Sequence, residues 1–143
     1  MTVWMVKKLS EEFDAYEFIP ELRGVTNYTE LAFALPNKIA VREHEYIKLQ
    51  EKIANEKNRM VAMELKYERE IAEAKTEDGK ALFSNDVKRK AELQERLSKD
   101  VEYEQCKITY SALQRTASYS INAINFLKNQ FSAVRAILRG KGD

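Results

Sequence analysis

The sequence predicts an all-α protein: a long helical hairpin, coiled-coil-like, with a kinked C-terminal helix, a short helical N-terminal segment and an oligomeric assembly. Three observations carry this. The 143 residues contain only four Gly and two Pro, too few turn-formers for a many-stranded sheet. A third of the chain is charged and 44% is hydrophobic, a balance that suits solvated helices around a modest core. Two stretches repeat apolar residues every seven positions, the mark of helices that pack along a seam.

Residues 1–36 form an acidic head, with six acidic and three basic side chains. Ser10 to Glu17 reads as a short helix ending before Pro20, and Asn27 with Glu30 resembles a capping box for a turn of helix through Ala34. Trp4, Phe13, Phe18, Leu31 and Phe33 offer cover for another apolar face. Residues 37–75 form the first arm, starting just after Pro36, because proline is tolerated at a helix start. Ile39, Tyr46, Ile53, Met60 and Tyr67 repeat at seven, and Leu49 and Met63 alternate with Arg42, Glu56 and Glu70 at the intermediate position. Residues 76–85 are a loop turning at Gly79, with Ser84, Asn85 and Asp86 as helix-capping candidates. Residues 86–139 are the C-terminal helix, with a break or kink near Ser98–Asp100 and Gly140 as the closing residue.

That last helix has the better seam: Tyr110, Ala117, Ile124, Phe131 and Leu138 at one position, Leu113, Leu127 and Val134 at the other, interrupted by Ser120. A second strip, Ile108, Ile121, Ala123, Phe126, Ala133 and Ile137, leaves it apolar on two sides. A helical hairpin encloses little core by itself, so self-association is expected, with Tyr110, Leu113, Ala117, Ile121, Ile124, Leu127, Phe131, Val134 and Leu138 as the homo-oligomer interface.

One His and one Cys in the whole chain rule out disulfide frameworks, zinc ligand sets and the usual Cys-His or Ser-His catalysis. His44 reads as an exposed helical side chain and Cys106 as a small residue in a helix interface. Glu64, Glu68 and Glu70 each have Lys or Arg within a turn and read as solvated ion pairs. No phosphate-cradling glycine loop and no nucleophile elbow is present. The expectation is a non-enzyme with no cofactor, no metal and no small-molecule substrate. No apolar run is long enough for a membrane span, and the first residues lack the pattern of a secretory signal, so a cytoplasmic protein is expected.

Lys and Arg (24) nearly balance Asp and Glu (23), which excludes a generic polybasic binder, yet the charge is unevenly spread. Gln105 to Gly142 holds six basic residues and no acidic one. Lys57, Arg59, Lys66 and Arg69 lie toward the distal end of the first arm, and Lys88, Arg89 and Lys90 open the next helix. An antiparallel hairpin gathers these at one end, where Tyr67 and Phe83 offer stacking surfaces for unpaired bases. The competing reading is a charged helical tip, since Glu56, Glu64, Glu68, Glu70 and Glu73 alternate with the same cations.

Glu92-Leu-Gln-Glu-Arg-Leu-Ser-Lys-Asp100, followed by the long helix to Ile137, resembles the C-terminal half of the UvsY-type recombination mediators of T-even phages. Phe126-Leu127-Lys128 matches that family's apolar-apolar-Lys step, and Ala133 to Ile137 its Ala-apolar-basic-x-Ile step. Leu65-Lys66-Tyr67-Glu68-Arg69 is similar to a basic step upstream but one residue longer, so Lys66 transfers better than Arg69. The resemblance spans about 70–75 residues and hardly touches the first 36. It implies a helical oligomer, a phage protein in a bacterial host or one of the bacterial cytoplasm. Such a protein binds single-stranded DNA and helps a RecA-like recombinase displace single-strand binding protein. Two rival expectations are a coiled-coil adaptor of phage assembly and a small inhibitor of a host nuclease or defence complex.

Overall fold

The computed structural model describes residues 27–142. These residues are 88% helical, arranged as α1 (Tyr28–Glu73), α2 (Asp86–Lys99) and α3 (Val101–Gly142), with one isolated bridge and no strand among them. The helix expected over Ser10–Glu17, and the cover expected from Trp4, Phe13 and Phe18, lie outside the described residues.

α1 starts earlier than its proline implies. The Glu30 N–H donates to Asn27 Oδ1 at 2.8 Å and the Leu31 N–H to the Asn27 carbonyl at 3.1 Å. This capping pair opens the whole 46-residue helix, not a separate turn, and Pro36 sits inside it. The boundary expected between 36 and 37 is therefore corrected. The seven-residue pattern runs back from Ile39 through Ala32, and from Arg42 through Leu35 to Tyr28, so burial carries the helix across a proline that supplies no N–H to the Ala32 carbonyl.

The Lys75–Lys80 loop is as expected. Gly79 has φ +79°, which a residue with a Cβ adopts only under strain, and Lys75 and Ala81 bridge across the turn. Asn85 caps α2, its Oδ1 accepting from the Lys88 N–H at 2.9 Å. The anticipated kink is a full break at one residue. Asp100 leaves helical geometry (φ −83°, ψ 108°) and donates its N–H to the Leu97 carbonyl to close α2. Its Oδ1 then accepts from the Tyr103 N–H at 3.1 Å to open α3. Gly140 does not end α3, which continues to Gly142.

The chain divides into two compact units. In the one holding α1 up to Leu49 and α3 from Thr116, the core joins Tyr28, Leu31, Leu35 and Ile39 to Ala123, Leu127 and Val134. Phe126, Phe131, Ile137 and Leu138 pack around it. A Leu buried this completely contributes about 1.5–3 kcal/mol. The Tyr28 hydroxyl is buried without a partner, and burial pushes its pKa up. At the edge, Lys128 reaches Glu43 at 3.8 Å.

The unit Gln50–Arg115 is built differently. Ile71, Leu97 and Cys106 are buried, and polar links join the helices. The Tyr103 hydroxyl donates to Glu64 Oε1 at 2.7 Å and the Tyr67 hydroxyl to Asp100 Oδ2 at 2.5 Å. Arg59 pairs with Glu102 at 3.3 Å and Arg96 with Glu70 at 3.5 Å. Along α1, residues 59, 64, 67 and 70 meet residues 102, 103, 100 and 96, so the facing segments run antiparallel. Ile71, not Glu70, is the buried residue here, a one-residue slip from the seven-residue pattern.

Candidate nucleic-acid interface

The seven cations singled out in the sequence, Lys57, Arg59, Lys66, Arg69, Lys88, Arg89 and Lys90, are all exposed and all within Gln50–Arg115. They do not form one patch. Lys57 and Lys66 are nine residues apart on α1, about 180° around the helix, so they face opposite ways. Arg59 and Lys66, seven apart, share a face. Arg59 is committed to Glu56 (3.4 Å) and Glu102 (3.3 Å). Lys66 acts electrostatically on Asp100 and helps hold that carboxyl below the ordinary aspartate range, behind the larger effects of the Tyr67 and Tyr103 hydrogen bonds.

The two aromatics expected to stack on bases are not equivalent. Tyr67 is half-buried and its hydroxyl is held by Asp100, which raises the tyrosine's pKa. It therefore serves the helix junction. Phe83 is half-buried on the loop before α2, and its carbonyl accepts from Arg89 Nε at 3.1 Å. That bond orients the guanidinium, and neighbouring Lys90 lies on the same short helix.

Arg89 and Lys90 border a groove of about 270 Å³ between α1 and α2, with Ile71, Ala72 and Leu93 as its apolar lining and Glu68 and Asp86 as its acidic members. Sequence reasoning named the cations and missed the groove. The available signal was Ile71, an apolar residue off the seven-residue register and facing the start of α2. Overall the unit carries fourteen basic and fourteen acidic side chains, so any anion-binding surface here is local.

The nine residues expected to form an oligomer interface are largely covered within one chain. Ala117, Ile124, Leu127 and Val134 are buried, and Tyr110, Leu113, Ile121, Phe131 and Leu138 are half-buried. Within the first unit α1 covers Leu127 and Val134 of this seam. Of the second strip, Ala123 is buried while Ile108 remains 60% exposed. The cations of α3 are partly engaged, Lys128 by Glu43 and Arg135 over the Phe131 ring at 5.4 Å. Cys106 is buried, and burial first, then hydrogen bonding to Glu56, pushes its thiol pKa up, away from nucleophilic use. Among the described residues no group of acidic, His and Cys side chains is placed to hold a metal, and no helix is long and apolar enough to cross a membrane. No family model, curated protein or solved structure matches the chain.

Proposed function

We propose that this protein is a non-enzymatic, coiled-coil-like oligomer that binds single-stranded DNA and acts as a recombination mediator. In this role it helps a RecA-like recombinase load while single-strand binding protein leaves. The observation that carries the reading is the set of exposed cations, Lys66, Arg69, Lys88, Arg89 and Lys90, on the α1 end and α2 start of one compact unit. The resemblance of Glu92–Asp100 and Phe126–Ile137 to the UvsY-type mediators adds the biological context. The mechanism needs no bond chemistry. Weak phosphate contacts, each releasing counterions, become avid when several copies hold one strand, and the strand is then presented in a shape the recombinase prefers. Self-association in this reading draws on the half-buried α3 residues Tyr110, Leu113, Ile121, Phe131 and Leu138, together with exposed apolar side chains such as Phe33, Ile47 and Leu65.

The test is anisotropy of a labelled single-stranded oligonucleotide at low and moderate salt, with duplex as competitor. The double variant Lys66→Glu/Arg69→Glu is expected to bind several-fold more weakly and with a shallower salt dependence, at unchanged helicity. Binding equal to wild type removes those two residues from the interface, and no binding by the wild type at low salt removes the function.

A second reading, a structural or inhibitory protein that docks on another protein, is favoured by the same exposed apolar residues. It predicts the same helices and no salt-sensitive DNA binding.

A further inference from the structure

The groove between α1 and α2 joins two features that a purely electrostatic DNA surface does not need: an apolar lining and paired carboxylates. Ala72 and Leu93 line it, over the buried Ile71. Such a surface takes a flat aromatic face more readily than a phosphate or a sugar. Arg89 and Lys90 border it, with the Arg89 guanidinium held by the Phe83 carbonyl so that its direction is set before any ligand arrives. Glu68 and Asp86 border it as well, and carboxylates accept hydrogen bonds and repel bare phosphate. A ligand matching all three features is apolar on its face, carries N–H donors on its edge and has an anionic group beside it.

We propose that this groove takes one unpaired, amino-bearing nucleobase, cytosine or adenine, from a single strand. Ala72 and Leu93 contact the base over the buried Ile71, Glu68 and Asp86 accept from its exocyclic amine, and Arg89 and Lys90 hold an adjoining phosphate. Thymine presents a carbonyl oxygen where cytosine presents its amine, and two carboxylates disfavour that edge. A base stacked within a duplex cannot enter, so the groove selects single strands by geometry. The inference rests on the single-strand reading above and gives it a base preference that phosphate contacts alone cannot supply.

The experiment compares a labelled oligodeoxycytidine with the oligothymidine of equal length, by anisotropy at low salt. Wild type, the groove-filling Ala72→Leu and the double variant Glu68→Gln/Asp86→Asn are each measured, with helicity checked by circular dichroism. Wild type is expected to prefer the cytosine strand by roughly 5-fold or more. Ala72→Leu is expected to lose that preference while keeping residual salt-dependent binding, and Glu68→Gln/Asp86→Asn to lose it without losing affinity for the thymine strand. Equal wild-type affinity for both strands overturns the groove while leaving the single-strand reading intact. A preference that survives in both variants overturns it too. Failure of wild type to bind either strand overturns the groove and the mediator reading together.

Discussion

Replacing Leu127 with Ala should lower the stability of the protein by about 3–4 kcal/mol. Leu127 is 0% exposed and sits among Leu31, Leu35, Ile39 and Val134. The substitution removes three carbons, worth roughly 2.4 kcal/mol at 0.8 kcal/mol per buried methylene. The vacated space adds a further cost, because two long helices held at many other points cannot close around one missing side chain. The slightly better helix propensity of Ala returns only a few tenths of a kcal/mol. With a urea dependence of about 2 kcal/mol per molar, the midpoint followed by circular dichroism should fall by roughly 1.5–2 M. The same truncation at Phe33, 89% exposed, should change stability by no more than about 0.5 kcal/mol. The seam is filled within one chain, so the Leu127 shift should not depend on protein concentration. A loss under about 1 kcal/mol, or a wild-type midpoint that falls on dilution together with the Leu127 effect, would refute the assignment of α1 as the partner of α3.

Two further outcomes follow from the fold. Pro36→Ala gives back the N–H missing beneath the Ala32 carbonyl and should raise stability by roughly 1–3 kcal/mol, seen as a higher thermal midpoint; a lower one would mean the helix does not run through residue 36. Burial, and then the hydrogen bond to Glu64, push the Tyr103 pKa up to about 12. A raised pKa means that the unfolded chain loses its proton first, so the stability this tyrosine adds is present below pH 10 and is lost as pH rises toward 12. Ultraviolet titration should show one tyrosine transition near that pH, absent in Tyr103→Phe, and a normal transition for Tyr103 would sever the link to Glu64.

Periodicity and capping chemistry made most of the helical framework legible. Asn27, Asn85 and Asp100 each offer a side-chain oxygen to the first turn of a helix, and Gly79 supplies a positive φ at the turn, so local chemistry marked the ends. Pro36 and Gly140 misled, because their usual meaning reflects local preference and both lie in helices held by packing over many turns. The seam residues Ile124, Leu127 and Val134 were readable as buried. Whether α1 or another copy covers them was not, since a heptad specifies a helix and not whose helix it is. The groove was illegible for a related reason. Glu68, Ala72, Asp86 and Leu93 come from segments whose juxtaposition depends on the turn at Gly79, and no spacing within either segment announces it.

The polar links of the Gln50–Arg115 unit have a consequence for alignment. An apolar seam of Leu, Ile and Ala is nearly indifferent to sliding one helix past the other by seven residues, because a similar side chain arrives at each position. The bond of Tyr67 to Asp100 is not interchangeable in this way, because Leu93 and Lys107 stand one repeat to either side of Asp100. A slide of one repeat would offer Glu64 a new partner, Tyr110 or Arg96, but would strip Asp100 of its phenol while it still caps α3. The apolar core supplies cohesion, and the Tyr67–Asp100 bond acts as a vernier that admits a single setting of α1 against the Asp100 junction.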